Sequence, residues 1–406
     1  MITPEAAWEL VIKASRALPA VRLDLVDAAG HMLVSPVFAD RDMPPADRST
    51  RDGYAVRSAD LGSPPVVLRV CGEVAAGSDA APPVGRDECV RVFTGGNVPP
   101  DADTIIMLED TEPAGEGPAG EEMVRILRPS KKGSHISIRG EIARRDDELL
   151  PAGTFLNAMA IATCAAVGVS SLEVHPRPAV SVLATGTELR KTGKETRPHE
   201  TRNSNGPMLA AALGRWGYRV ASSSYVTDEA ELIAEYLRTA LERSDLVVMT
   251  GGTSVGKYDV VAGAIGLAGG RIHFRGIHMS PGRPTLFATT SEGRYIFGLP
   301  GNPISAMTGF HEFVLPLMRR LAGLPAGSCR TSIRVRLAEQ VAGRAGRQRL
   351  VPGRLVSGPG GMTAEIIGSS GAADLVAGSK ADGVIIVPPD TDRLAAGSLC
   401  DFRMWK

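Results

Sequence analysis

Between Pro178 and Gly323 strand-like and helix-like segments alternate, and this alternation restricts the fold more than any other feature. Ala179 to Ala184, Tyr218 to Ser223, Leu246 to Met249 and further runs up to Phe297 read as short strands. Pro207 to Trp216 and Glu229 to Arg243 carry helical periodicity. Strands separated by helices in this way predict a doubly wound α/β/α domain. The flanks read differently. Thr3-Pro4-Glu5 is a helix start, with Ala7, Trp8, Val11, Ala14 and Leu18 on one face. From Gly62 to Glu112 short apolar runs (Val66 to Val70, Cys89 to Phe93, Thr104 to Leu108) are split by Pro82-Pro83 and Pro99-Pro100, which predicts a small β domain. Helical character returns at Asn157 to Val167, so the β domain reads as an insertion. After the Gly/Pro/Ala stretch at Gly323 to Gly327, short runs such as Ser332 to Leu337 and Gly383 to Val387 predict a last small β-barrel. The expected class is therefore α/β and β multidomain. The expected division is 1–51 plus 142–177 (helical), 52–141 (inserted β), 178–323 (α/β) and 324–406 (β-barrel).

The length of 406 residues supports this, since about 150 residues per domain excludes a single small module. Lys plus Arg and Asp plus Glu each number 45, so no whole-chain field attracts nucleic acid or an anionic membrane. Arg144-Arg145 and Arg319-Arg320 are short basic pairs without an aromatic platform and read as solvated faces. No apolar run approaches the roughly 18 residues of a membrane span, and Met1 to Leu18 is not a signal sequence, so the expected compartment is the cytoplasm. The five cysteines are widely spread with no two-residue spacing, and read as reduced and structural.

The polar residues that carry chemistry fall where strands of a wound sheet should end, which is where ligands bind in such folds. Leu246 to Met249 runs into Thr250-Gly251-Gly252-Thr253-Ser254, whose glycine amides and hydroxyls suit an anion such as a phosphate. A ligand-free strand-to-helix turn is the blander alternative. Val182 to Ala184 runs into Thr185-Gly186-Thr187-Glu188 in the same manner. Glu188, Asp228 and Asp259 then gather on one rim, where carboxylates beside a phosphate call for a hard cation such as Mg2+. For Asp228 alone, capping the helix that begins near Glu229 is the stronger reading. Pro300-Gly301 brings bare backbone to the rim, with Asn302 as helix cap and Pro303 as first helical residue. Arg283, in Ser280-Pro281-Gly282-Arg283-Pro284, can pair with a phosphate or sit as a surface arginine. Asp52-Gly53 and Thr94-Gly95-Gly96 read either as a second wall of a cleft or as turn residues.

Taken in order, these motifs resemble the molybdopterin molybdenumtransferases, the MoeA and gephyrin E-domain family. The resemblance runs through Asp52-Gly53-Tyr54-Ala55-Val56, Phe93 to Pro99, Arg139-Gly140-Glu141, Ala184 to Leu189, Asn203-Ser204-Asn205, Gly251 to Asp259, Pro281 to Pro284 and Leu299 to Pro303. It covers about the first three quarters of the chain, and the tail fits by composition only. It implies a homodimer with an inter-subunit active cleft, and conversion of adenylylated molybdopterin plus molybdate, with a divalent cation, to molybdenum cofactor and AMP. It implies Asp52, Thr94, Glu188, Asp228 and Asp259 as catalytic residues, and Glu188, Asp228 and Asp259 as holders of Mg2+. Thr185, Gly186, Asn205, Thr250, Gly251, Gly252, Ser254, Arg283, Pro300, Gly301 and Pro303 are the expected substrate-binding set. The implied partners are a pterin substrate, a molybdopterin adenylyltransferase and apo-molybdoenzymes, with no nucleic acid and no membrane.

The sequence departs from the family pattern twice. Ile142 follows Arg139-Gly140-Glu141 where the family usually has aspartate, and Ser280 precedes Pro281-Gly282 where lysine is common. Asp146 and Asp147 lie near the first position and Arg283 near the second. The departures leave open a slow enzyme, a tungstate-preferring paralogue, or a carrier of the cofactor that has lost turnover. A molybdopterin adenylyltransferase, for which the resemblance implies a related α/β domain, is the remaining alternative, and the extra modules argue against it.

Overall fold

The structure is a computed structural model that describes residues 1–78, 81–128, 130–252 and 260–406. It divides into two compact units: residues 1–22, 30–34 and 173–406 form the first, and 23–29 with 35–172 form the second.

In the first unit a six-stranded sheet runs in the order Val220–Val226, Val180–Thr185, Leu246–Thr250, Tyr295–Leu299, Leu286–Thr290, Gly270–Arg275. The first four strands are parallel to their neighbours, and the last two are added antiparallel. Strand alternation sorts the side chains to two cores. Val180, Val182, Leu246, Val248, Tyr295 and Phe297 face one core with Leu209 and Leu213 of the Asn205–Arg215 helix. Leu183, Val247, Met249 and Ile296 face the other with Ile233, Leu237 and Leu241 of the Ala230–Arg243 helix. Helices therefore cover both faces, as the alternating pattern predicts.

The N-terminal helix Pro4–Ala14 starts as expected, with Thr3 Oγ1 accepting from Ala6 N at 3.1 Å and Pro4 in the first turn. Its placement differs from the expected grouping of 1–51 with 142–177. Ala7 and Val11 are fully buried in the α/β core, and Leu18 N donates to Leu321 O at 2.8 Å. The helix carries an apolar stripe that needs a partner, and the helical segment ending at Leu321 supplies one.

The C-terminal strands close on themselves. Gln348–Gly358 pairs with Gly361–Ile366, then Ile333–Leu337, Leu399–Met404 and Gly383–Val387, which returns to Gln348–Gly358. This five-stranded barrel encloses Val335, Leu337, Val351, Ala364, Ile385 and Phe402.

In the second unit a six-stranded sheet runs Thr104–Met107, Gly53–Val56, Glu88–Val92, Val66–Val74, Glu122–Ile126, Thr111–Glu116. Both faces are buried, with Tyr54, Val56, Cys89 and Ile106 on one and Ala55, Val90, Val92 and Ile105 on the other. Gly53 has no room for a side chain, since a Cβ there would lie 1.8 Å from Ile106 O. All five cysteines are free, four of them buried. No helix among the described residues is long and apolar enough to cross a membrane.

Candidate functional site

The parallel strands of the first unit end together in a cleft of about 580 Å³. Thr185, Glu188, Asn205, Asp228, Thr250, Gly251, Gly252, Pro300, Gly301 and Pro303 all line it, so most of the residues singled out in the sequence converge. Gly186 is buried at the turn behind Thr185, where its amide donates to Val226 O at 3.0 Å. Ser254 and Asp259 lie outside the described residues.

Three loops are tied together by one amide. Asn205 Nδ2 donates to Thr250 Oγ1 and to Gly301 O, both at 2.7 Å, and Thr250 Oγ1 donates to Pro300 O at 3.2 Å. The carbonyl partner fixes which end of the Asn205 amide is nitrogen, so its Oδ1 is the free end. Thr250 is thereby a positioning residue: its hydroxyl is spent on the protein and not held out to a phosphate. Gly251 likewise differs from the expected anion nest. Its amide donates to Leu299 O at 3.2 Å, its φ is +96°, and a Cβ would lie 2.1 Å from Thr185 O. The glycine is needed because two strand-end loops approach closely, not because its amide faces a ligand.

Several buried polar atoms in the cleft have no partner among the described residues: Thr185 Oγ1, Asn205 Oδ1 and Asp228 Oδ1. Thr185 is 3% exposed and Asn205 8%, so each orphan costs roughly 1–3 kcal/mol unless something else bonds it. Three such atoms in one cleft at the strand ends fit a ligand with both donors and acceptors.

The carboxylates behave differently from the capping reading. The Ala230–Arg243 helix has Glu229 at its cap position without a side-chain cap bond. Asp228 is turned away from that helix: its Oδ2 accepts from Thr187 N at 3.3 Å, and Thr187 Oγ1 accepts from Asp228 N at 3.4 Å. Two loops thus clasp each other and leave Asp228 Oδ1 without a partner among the described residues, in a cleft that Glu188 also lines. Hard carboxylate oxygens, one of them orphaned, fit a divalent cation such as Mg2+. Among the described residues no group of three or more His, Cys, Asp or Glu is close enough to hold a metal, so a set including Asp259 stays a proposal.

Arg283 is not among the residues lining the cleft. It is exposed, its Nε donates to Met1 Sδ at 3.1 Å, and only the following Pro284 reaches the cleft wall. A cation that sequence reasoning passed over does line it: Arg202, in the loop whose Asn203 Oδ1 accepts from Gly206 N at 2.9 Å. Its signal was its place immediately before Asn203-Ser204-Asn205. Ser280 pairs with Arg349 along the edge of the barrel.

In the second unit Asp52 and Thr94 meet. Asp52 Oδ1 accepts from Thr94 N at 2.7 Å and from Thr94 Oγ1 at 2.8 Å. The backbone donation foremost, then the hydroxyl, hold the Asp52 carboxyl below its ordinary 3.8. Ile142 is 73% exposed, its amide donating to Met43 O at 2.9 Å. Asp147 is occupied nearby, accepting from Arg144 N at 2.7 Å.

Residues 2–168 match the family description "MoeA N-terminal region (domain I and II)", 181–320 match "Probable molybdopterin binding domain", and 334–405 match "MoeA C-terminal region (domain IV)". The molybdopterin molybdenumtransferase of Staphylococcus epidermidis (strain RP62A) is 30% identical over 405 residues, covering 98% of this chain and 94% of that protein. Its counterpart in Staphylococcus aureus (strain Mu50) is 32% identical over 326 residues, covering 79% of this chain and 76% of that protein. Among solved structures, a molybdopterin biosynthesis MoeA protein from Pyrococcus horikoshii superposes with a TM-score of 0.79 at 28% identity, covering 100% of this chain and 99% of that one.

Proposed function

This chain belongs to the MoeA family, and from that membership we propose that it is a molybdopterin molybdenumtransferase: it takes adenylylated molybdopterin and molybdate to the molybdenum cofactor and AMP. The observation that carries the assignment to a site is the set of orphaned atoms, Thr185 Oγ1, Asn205 Oδ1 and Asp228 Oδ1, in one cleft of the stretch matching the molybdopterin-binding description.

The roles follow from chemistry. Asn205 Oδ1 accepts, so it suits the N–H groups of a pterin ring. Thr185 Oγ1 donates or accepts at the phosphate, and Arg202 offers charge to an anionic substrate. Glu188 and Asp228, with Asp259, hold a divalent cation such as Mg2+, which when bound neutralises the charge that builds on the phosphoanhydride as AMP leaves. Thr250 and Gly251 keep the strand ends in register, so the cleft is preorganised before substrate arrives. The remaining substrate-binding assignments, Gly186, Gly252, Ser254, Pro300, Gly301 and Pro303, follow the family motifs.

Four finer readings belong to the same proposal. The protein acts as a homodimer, with Asp52 and Thr94 of a second copy contributing to catalysis. Its cation is Mg2+. Its compartment is the cytoplasm, with apo-molybdoenzymes as recipients and a molybdopterin adenylyltransferase upstream. Its domains divide at 51/52, 141/142, 177/178 and 323/324, with the Pro4–Ala14 helix packed on the α/β domain rather than with 142–177.

A second reading, a cofactor carrier without turnover, draws on Ile142: the exposed position where the family usually has aspartate holds no carboxylate, and Asp147 is engaged with Arg144. Incubating the protein with adenylylated molybdopterin, molybdate and Mg2+ separates the two. Molybdate-dependent AMP release, with activation of an apo-molybdoenzyme, is the expected result. Tight pterin binding without AMP release would leave the carrier.

A further inference from the structure

Away from the cleft, the first unit buries an unusual concentration of cations. The helical segment Pro303–Leu321 is broken by a single π-helical turn, Phe310–Val314, that holds His311 and Glu312 side by side, 3% and 1% exposed. Glu312 is shared by two arginines: Arg330 Nη2 donates to Oε2 at 2.8 Å, and Arg403 Nε donates to Oε1. A third guanidinium, Arg319, stacks 4.7 Å from the centre of the Trp216 ring, and among the described residues its hydrogen-bond partners are neutral, Cys329 O at 3.1 Å and Thr331 Oγ1 at 3.4 Å. The sequence placed Arg319 on a solvated face; it is instead half-buried in this seam.

These groups surround a cavity of about 110 Å³ lined by Trp216, His311, Arg319, Arg330, Thr331 and Arg403. The residues of its wall carry polar atoms with no partner among the described residues: both ring nitrogens of His311, Trp216 Nε1 and Arg330 Nε. Around the cavity, the guanidinium charges of Arg319, Arg330 and Arg403 stand against the single carboxylate of Glu312, Lys406 is paired with Asp382, and among the described residues no carboxylate reaches Arg319. Buried charge of one sign without compensation is strongly disfavoured. A cavity this size exceeds the roughly 10–15 Å³ that one water needs. Apart from apolar walls such as Leu315, Ile333 and Phe402, the side chains on its rim are mainly donors, and an anion is the ligand that donors and excess positive charge together recognise.

We propose that this cavity is a binding site for a small tetrahedral oxyanion of the phosphate or sulfate class, separate from the pterin cleft. Arg319 supplies the uncompensated charge, and Trp216 Nε1, Arg330 Nε and the N–H of a neutral His311 supply donors. Burial first, then Arg319 and Arg403, push His311 down to about 3, so its imidazole is uncharged at neutral pH and offers one donor and one acceptor. A bound dianion reverses part of that push. The site joins the Pro303–Leu321 segment to Arg403 of the last barrel strand, so its occupant braces the barrel against the α/β core.

The test titrates phosphate, then sulfate, into the full chain at constant ionic strength held with chloride, followed by calorimetry. Saturable binding of one oxyanion per chain is expected, weakened at least tenfold by Arg319→Gln and unchanged by Arg202→Gln in the cleft. If Arg319→Gln does not fold, the wild-type protein still decides: sulfate, which stays a dianion at the low pH where His311 titrates, should raise the titration midpoint of that imidazole measured by NMR. Two results overturn the proposal. One is no saturable binding and an unmoved His311, which leaves water in the cavity. The other is binding lost in Arg202→Gln but kept in Arg319→Gln, which puts the ion in the cleft.

Discussion

Replacing Thr250 with valine keeps the volume of a fully buried side chain and removes its hydroxyl, so it isolates the polar tie that holds the strand ends together. The hydroxyl accepts from Asn205 Nδ2 at 2.7 Å and donates to Pro300 O at 3.2 Å. In Thr250→Val the amide keeps Gly301 O, whereas Pro300 O is left without its donor. At about 1 kcal/mol net for each bond lost and about 1–3 kcal/mol for a buried group left unsatisfied, the expected destabilisation is roughly 2–3 kcal/mol. Asn205→Ala removes both amide bonds and should cost a similar amount. The two residues share one bond, so the double variant should lose about 1 kcal/mol less than the sum. Trp8, Trp216 and Trp405, all the tryptophans of the chain, belong to the first unit. Tryptophan fluorescence in urea therefore follows that unit without signal from the other. Single losses below about 0.5 kcal/mol, or additivity within that margin, would refute the reasoning.

Other outcomes follow from the same geometry. Gly251→Ala, which places a Cβ 2.1 Å from Thr185 O at a φ of +96°, should destabilise the first unit by more than 2 kcal/mol in the same urea assay, order-of-magnitude for a strained backbone site. Gly263→Ala, in the Val260–Leu267 helix with nothing within 4 Å of its Cβ, should instead stabilise it by up to about 1 kcal/mol. Glu312→Ala strands two guanidinium groups and should cost about 3–5 kcal/mol, more than any exposed carboxylate replaced in parallel. Asp52 has a depressed pKa, so its bonds to Thr94 favour the folded state above pH 3.8 and are lost as pH falls through the lower folded value. An NMR titration should place the Asp52 midpoint below 3.8, and Thr94→Val should move it part of the way back while the backbone donor remains.

What the sequence revealed and what it hid divide along a physical line. Local patterns were legible: the Thr3 cap, the apolar runs ending in Thr185-Gly186 and Thr250-Gly251, and Pro303 at a helix start depend on neighbours within a few residues. The class of fold followed from them. Pairings over long separations were not legible. Asp228 looked like a helix cap because Glu229 begins a helix, yet Thr187, 41 residues away, claims one of its oxygens. Gly251 looked like an anion nest because the rule for glycine pairs is local, whereas its neighbour Thr185 comes from another strand. Asn302 does precede the helix, but without the side-chain bond a cap usually makes. Glu312 and Arg403 are separated by 91 residues and lie in segments that read simply as apolar helix and barrel strand. Arg283 shows the same limit in reverse: its motif was right for an anion, but its direction was set by tertiary structure.

The most direct test of the central claim is the affinity of adenylylated molybdopterin for the wild type, Thr185→Val and Asp228→Asn, each with and without Mg2+. If the orphaned cleft atoms are the substrate's partners, Thr185→Val weakens binding about tenfold, roughly 1.4 kcal/mol, and retains the response to Mg2+. Asp228→Asn should lose most of that response. Unchanged affinity in both variants would place the substrate elsewhere and contradict the account.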